Sequence, residues 1–337
     1  MEAKKKYSHF TITDFFELVR LNTKLNSLMP YLLGILFAYF YFHTFNWQNS
    51  LIYLVAQGAI ALFVTGFNNV QDYRLAKSKD YQKEHNLIGK RNLSPTTAMA
   101  VMLTLLLIAA VLGIWLTVRT NLFILLIGAP GLFVAVFYTY GPVPFSRVPL
   151  GEILAGLFEG LGIMFLAVYI NSPVSQLAYL NFDWPQFIVG GNLANLLLIF
   201  WVALPQAFFN AATMLADNTC DLKQDLANGR HTLPSYIGVK NSLNLFSFLT
   251  LAPFAIVAIS VIFRLLPVWQ LLIFVTLPKL YKNVQAFRQK QTKDMAFWVD
   301  EDNIKHRVPT TFDLAPQNLF WFQLMQVCGL ILGIIFH

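Results

Sequence analysis

Three observations predict an all-α, polytopic membrane protein with nine transmembrane helices in a bundle and a cytoplasmic N-terminus. First, 56% of the 337 residues are hydrophobic and only 12% are charged, where a soluble domain carries about 25%. The mean hydropathy is +0.55. Second, apolar runs near the roughly 20 residues needed to span hydrocarbon recur along the whole chain. Third, the basic residues alternate between the connections that join those runs.

The predicted spans are 26–45, 49–69, 96–118, 121–140, 149–170, 187–216, 242–263, 265–282 and 315–336. The sixth is long enough to tilt or to project from the bilayer. The eighth is short and holds Pro267 and Pro278. With the N-terminus inside, 22 of the 24 lysines and arginines fall on inside segments, and only Arg119 and Arg264 fall outside. That asymmetry fixes the expected orientation. The excess charge of +7 therefore reads as orientation, and no nucleic-acid partner is expected. The basic start, MEAKKKYSHF, lacks the apolar run and cleavage site of a signal peptide. No linker divides the chain, so residues 1–337 read as one domain. Only Cys220 and Cys328 are present, which gives no disulfide framework and no zinc spacing. Ahead of the first span, Asp14 as N-cap with Glu17 three residues on predicts a short helix. It would lay Phe15, Phe16, Leu18 and Val19 along the membrane surface.

The polar chemistry collects in two inside connections. After the sixth span comes Asp217–Leu233, DNTCDLKQDLANGRHTL. If the helix continues, Asn218, Asp221 and Asp225 fall at i, i+3 and i+7, on one face. Oxygen side chains stacked in that way suit a hard cation such as Mg2+; a polar cap on a membrane helix is the plainer alternative. After the second span come Asn68, Asn69, Gln71 and Asp72, and then Asp80. Asn68 and Asp72 share a face at i, i+4. Each acidic run is followed by a similar tail, Gly89-Lys90-Arg91-Asn92-Leu93-Ser94-Pro95 and Gly229-Arg230-His231-Thr232-Leu233-Pro234. The repetition suggests a pseudo-duplicated site. Facing carboxylate clusters repel unless cations lie between them. Metal ions bridging to a diphosphate resolve the repulsion, with lysine and arginine supplying further donors. Two solvated loops whose charges merely set topology are the alternative. Such loops need lysine and arginine but not paired Asn and Asp at helical spacing.

These motifs resemble the UbiA superfamily of intramembrane prenyltransferases, whose Asn-x-x-x-Asp and Asp-x-x-x-Asp motifs match Asn68/Asp72 and Asp221/Asp225. The resemblance sharpens toward the 1,4-dihydroxy-2-naphthoate polyprenyltransferase (MenA type) branch at three places. These are Asn218–Leu233, Tyr138-Thr139-Tyr140-Gly141-Pro142-Val143-Pro144, and Pro149-Leu150-Gly151-Glu152. Arg20-Leu21-Asn22-Thr23-Lys24 is similar to the family's Arg-Pro-x-Thr start, with Leu21 for the proline. There are departures. Asn69 stands where the family often has Asp, and Ala76 and Ser78 stand where the first motif's last acid is usual. Asp80 either reaches in as a ligand or leaves that cluster one carboxylate short.

The resemblance implies a UbiA-type bundle in the cell membrane, its active site facing the cytoplasm. It also implies Mg2+-dependent transfer of a polyprenyl group from a polyprenyl diphosphate to dihydroxynaphthoate, giving demethylmenaquinone. Asn68, Asp72, Asp80, Asn218, Asp221 and Asp225 would hold metal. Lys24, Arg74 and Lys77 would bind the diphosphate or serve as orientation charges, Lys223 and Arg230 would bind it, and Tyr138 and Tyr140 would touch substrate or sit in an interfacial belt. Glu152 and Glu159 are expected on one face of the fifth span, with Glu159 the more buried. An ionisable residue there is a functional candidate by default, and Glu152 is read as facing the acceptor or a basic partner. His231 either orients the diphosphate or occupies solvent. Other acceptors, such as 4-hydroxybenzoate, haem or a glycerol phosphate, remain open. So does another class, a transporter or divalent-cation channel, although its acids belong nearer mid-membrane.

Overall fold

The structure, a computed structural model, describes residues 7–21, 25–76, 82–83, 86–294, 296–299 and 305–336. Its residues group into two compact units, Met1–Leu25 with Leu51–Pro144, and Asn26–Ser50 with Phe145–His337. The helices number, in chain order, α1 (Ile12–Leu18), α2 (Leu25–Phe42), α3 (Trp47–Leu75), α4 (Leu87–Lys90), α5 (Pro95–Arg119), α6 (Phe123–Phe137), α7 (Gly151–Leu154), α8 (Ile163–Tyr169), α9 (Leu193–Cys220), α10 (Leu222–Ala227), α11 (Leu233–Ile262), α12 (Leu277–Gln289) and α13 (Leu314–Ile335). Two antiparallel hairpins, β1 (Ala178–Asp183) with β2 (Gln186–Gly191) and β3 (Ala296–Val299) with β4 (Lys305–Val308), are the only strands among the described residues.

Six helical segments among the described residues are long and apolar enough to cross a membrane: α3, α5, the run Gly151–Tyr169, α9, α11 and α13. Residues Ser27–Phe42 and helix α6 are apolar but shorter. In the predicted eighth span, a 3-10 segment over Val268–Thr276 runs into α12. Two expectations about where helices begin need correction. The sixth span does not begin at 187, because β2 occupies Gln186–Gly191; α9 starts only at Leu193, capped by the Asn192 side chain. The first helix is not capped by Asp14. Thr11 is the N-cap and Asp14 is its box partner, each bonding the other's backbone N–H.

In the first unit, Leu18 and Val19 of the α1 region pack with Phe63, Phe67 and Val70 of α3 and with Met102 of α5. They are fully buried, so α1 does not lay these two residues along a membrane surface. Gly66 makes room for this packing, since a Cβ there would meet Met102 Sδ at 2.2 Å.

In the second unit, α9 is the axis. It packs against α11, α12 and α13 through Ala212, Leu215, Ala216, Phe246, Val284, Phe287 and Ala315. On another side it meets the stretch Ala155–Gly162, which winds as a π-helix between α7 and α8. Close approach there requires glycine. A Cβ on Gly160 would lie 2.5 Å from the Gln206 carbonyl oxygen, and one on Gly156 2.9 Å from that of Ala207. A buried amide cluster ties α9 to α13, with Gln206 donating to Gln326 and accepting from Gln323. Buried amides hold helices together when their partners are supplied by other helices.

Candidate active site

The second acidic segment forms where α9 ends. Its ladder continues through the junction, with the Asp221 N–H donating to the Asp217 carbonyl and the Asp225 N–H to that of Asp221. Asp221 itself (φ −90, ψ 2) caps α9 and opens α10. The expected stacking on consecutive turns is therefore kept, with a break in curvature at Asp221. Burial separates the side chains. Asn218 and Asp225 are buried, whereas Asp217 and Asp221 are half-buried and Lys223 is exposed.

Asn218 and Asp225 have separate partners, and Asp217 and Asp221 share one. Asn218 Nδ2 donates to Glu152 Oε1 over 2.8 Å, so the buried Glu152 is anchored to the acidic segment rather than to a basic residue. Arg230 Nε lies 3.4 Å from Asp225 Oδ1 yet makes no hydrogen bond among the described residues. It is a charge contact only. A second Arg230 nitrogen donates to the Ser146 carbonyl, and the His231 N–H donates to that of Arg147. The tail thus stitches the 3-10 turn Phe145–Arg147 to the acidic segment, while the His231 side chain stays exposed. Gly229 takes φ +70 at this turn, a left-handed conformation that glycine adopts without a Cβ clash.

The residue that sequence reasoning missed is Lys293. Its Nζ sits 2.6 Å from Asp217 Oδ1 and 2.5 Å from Asp221 Oδ2. Burial opposes the ammonium charge, but the two carboxylates outweigh it and hold Lys293 above the ordinary lysine value. At Asp225 burial dominates and pushes the carboxyl up, with Arg230 opposing the rise. The only sign of Lys293 in the sequence was its place in a polar run, Lys290–Asp294, of a segment expected inside.

The first acidic segment lies on the last turns of α3. Asn68 Nδ2 reaches Asp72 Oδ2 at 3.4 Å, so the predicted shared face exists. Asn69 points elsewhere and donates to the Leu18 carbonyl at 2.6 Å. Its own carbonyl accepts from Asn86 Nδ2, the N-cap side chain of α4. Arg91 of the tail pairs with Asp14 at 2.6 Å and with Glu17 at 2.5 Å. Arg74 is exposed and Tyr138 half-buried. Tyr140, also exposed, has its ring 6.3 Å from that of Phe67, the residue before Asn68. Lys24, Lys77 and Asp80 lie outside the described residues. The expectation for Glu159 is reversed. Glu152 is the buried one and Glu159 is exposed, because π-winding, with its wider i→i+5 turns, breaks the seven-residue register between them.

The profile of the UbiA prenyltransferase family matches residues 27–305. The chain belongs to the UbiA prenyltransferase family. It is therefore a prenyltransferase. Among UbiA relatives, the chain is 24% identical over 286 residues to the 1,4-dihydroxy-2-naphthoate octaprenyltransferase of Bacillus subtilis, covering 82% of each chain. It is 22% identical over 200 residues to the Mycobacterium tuberculosis protein of the same name, covering 58% of this chain and 60% of that one. A UbiA homologue from Archaeoglobus fulgidus, solved with GPP and Mg2+, superposes with a TM-score of 0.57 at 13% identity, covering 96% of this chain and 99% of that one. That likeness establishes the fold.

The second acidic segment suits a divalent cation. Asp225 Oδ2 is buried and has no hydrogen bond among the described residues, and the Lys293 ammonium already stands as a positive charge between Asp217 and Asp221. The donors are hard carboxylate oxygens, the class that Mg2+ selects. Among the described residues, no three His, Cys, Asp or Glu side chains form a ready-made metal cage. Mg2+ commonly uses one or two protein carboxylates and completes its shell with water and phosphate oxygens.

Proposed function

We propose that this chain transfers a polyprenyl group from a polyprenyl diphosphate to 1,4-dihydroxy-2-naphthoate in an Mg2+-dependent reaction at the cytoplasmic side of a nine-helix membrane bundle. The observation that carries the reading is the second acidic segment, where carboxylates on consecutive turns are bridged by Lys293 and contacted by Arg230. The acceptor is supported by the names of the two curated relatives and by the Tyr138–Pro144 and Asn218–Leu233 motifs. The orientation rests on the distribution of lysine and arginine.

In this reading Asp221 and Asp225 hold metal with Asn218 beside them, and Asn68 and Asp72 serve the same role in the first segment, with Asp80 as a further ligand. Bound Mg2+ would neutralise charge growing on the leaving diphosphate. Arg230, Lys223, Arg74, Lys24 and Lys77 bind phosphate oxygens through charge-assisted hydrogen bonds. Glu152, fixed by Asn218, faces the acceptor. Tyr138 and Tyr140 offer aromatic faces to the cation-like allylic carbon. The bond from that carbon to the diphosphate oxygen breaks and a bond to the acceptor ring forms. The ring carboxylate leaves as carbon dioxide. The immediate product is the hydroquinone, and demethylmenaquinone follows on its oxidation.

The test is an assay of the purified full-length protein with Mg2+ and a polyprenyl diphosphate, offering dihydroxynaphthoate and 4-hydroxybenzoate separately. Prenylated product with release of carbon dioxide from dihydroxynaphthoate is expected. Turnover of hydroxybenzoate alone would overturn the acceptor assignment. Metal flux into liposomes without any prenyl diphosphate would favour a channel.

A further inference from the structure

We propose that Lys293 is a resident counter-ion of the second acidic segment, which gives up Asp221 to a divalent cation and then pairs with the diphosphate. This rests on the metal and diphosphate reading above and assigns a role that the sequence motifs do not contain. Lys293 bridges Asp217 and Asp221 at 2.6 and 2.5 Å, and its ammonium also lies 4.9 Å from the centre of the Phe312 ring. The backbone beneath it is anchored. The Thr292 N–H donates to Thr311 Oγ1 at 2.9 Å, the Phe312 N–H donates to the Thr292 carbonyl at 3.2 Å, and the Asp294 N–H bonds Thr292 Oγ1 at 3.0 Å. The turn that receives these bonds is in turn held by Thr310 and Asp313 at the start of α13.

A fixed backbone with a long flexible side chain is a device for exchange. The ammonium is a compact charge on a four-carbon stem, so it can leave without moving the turn that carries it. One positive charge shared by two carboxylates leaves the pair net negative. The Lys293 side chain keeps 30% of its exposure, so the exchange takes place at a wet boundary, where a partly exposed ion pair contributes little. With a divalent cation on Asp221, the ammonium would be repelled from that carboxylate and left with Asp217 alone, and a diphosphate would offer it the larger negative charge. The site is thereby kept assembled before substrate arrives. Without Lys293, Asp217 and Asp221 would face each other with no counter-charge.

Mn2+ binding to the detergent-purified full-length protein, followed by electron paramagnetic resonance, tests the exchange with Mn2+ as the probe. Lys293→Met is expected to bind Mn2+ about three- to tenfold more tightly than the natural chain, the range for losing one or two partly exposed ion pairs. Lys293→Arg, which keeps the charge, is expected to match the natural chain. Unchanged or weaker binding by Lys293→Met would overturn the proposal. Lys293→Gln carries the same expectation should the methionine variant not fold. Asp221→Asn is the control on the underlying reading. If it binds Mn2+ as well as the natural chain does, the metal site itself fails; if it does not, a failure of Lys293→Met falls on the exchange alone. At saturating Mg2+, the KM for prenyl diphosphate should rise several-fold in Lys293→Met with a smaller change in kcat. Tighter metal with weaker diphosphate is a pairing that a purely structural lysine would not produce, and an unchanged KM would overturn the second half of the exchange.

Discussion

Arg91 of the tail Gly89-Lys90-Arg91 reaches to α1, whereas Arg230 of the tail Gly229-Arg230 turns back onto the acidic segment it follows. Arg91 clamps Asp14 and Glu17 of α1. Arg230 contacts Asp225 and holds the Ser146 carbonyl. The asparagines beside the acids diverge in the same sense. Asn69 is spent on the Leu18 backbone, while Asn218 orients Glu152. One sequence pattern has thus been put to two uses. In the first unit it fastens an amphipathic helix to the core, and in the second it builds an electrostatic site. Similar spacing predicts similar local backbone, but each side chain's partner depends on what the rest of its unit brings within reach.

The sharpest way to break this comparison is to remove one carboxylate from each segment. Asp221→Asn and Asp72→Asn should each lower kcat by about 10²–10³-fold, the scale of losing one preorganised electrostatic contact, in protein that still runs as a folded species by size exclusion. Near-normal turnover from Asp72→Asn alone would mean that only the second segment works on substrate. Chelation should abolish activity and added Mg2+ should restore it; metal-independent turnover would remove the basis of both sites.

A smaller effect separates the two arginines. Arg230→Met should raise the KM for prenyl diphosphate about tenfold, as expected for loss of one charge-assisted contact of about 1.4 kcal/mol. Arg91→Met should leave that KM unchanged and instead lower the thermal midpoint, because the buried Asp14 loses its cation. The opposite outcome, kinetic for Arg91 and thermal only for Arg230, would exchange the roles of the two arginines. Asn69→Ala should cost about 1 kcal/mol of stability, measured by denaturant unfolding, through the unpaired Leu18 carbonyl.

The smallest effect concerns acid. Asp14 is held below the usual carboxylate range, first by the Thr11 hydroxyl and also by the Thr11 N–H and Arg91, against burial. A carboxyl depressed on folding stabilises the protein at pH above its unfolded value, and the contribution fades as pH falls through the lower folded value. The thermal midpoint of Asp14→Asn should therefore lie below that of the natural chain at neutral pH, and the two should converge as pH drops into the acid range. A gap independent of pH would assign the loss to the capping bonds alone.

Much of this was legible in the sequence because it is local. The Asn68–Asp72 and Asn218–Asp221–Asp225 spacings need only a helical backbone to share a face, and both runs are helical or nearly so. The family motifs lie in the same runs. Sequence pattern and structure part where two local patterns compete or where helix periodicity changes. Thr11–Asp14 and Asp14–Glu17 both fit a capping pattern, and the first prevailed because Arg91, far along the chain, engages Asp14 and Glu17 together. Glu159 left the face of Glu152 because Ala155–Gly162 adopts π-winding against the α9 backbone, where Gly156 and Gly160 permit the contact.

What the sequence determined by itself was membership and chemistry type: an apolar multi-span chain, and acids at helical spacing beside glycine-bearing tails. Composition and short-range periodicity suffice for these. Only the tertiary structure decided which charges meet. Lys293 is separated from Asp221 by 72 positions in the chain, and no periodicity carries information across that distance. Packing of α9, α11, α12 and α13 around Leu215, Phe246 and Phe287 closes it. A side chain that read as an orientation charge becomes the cation between two carboxylates.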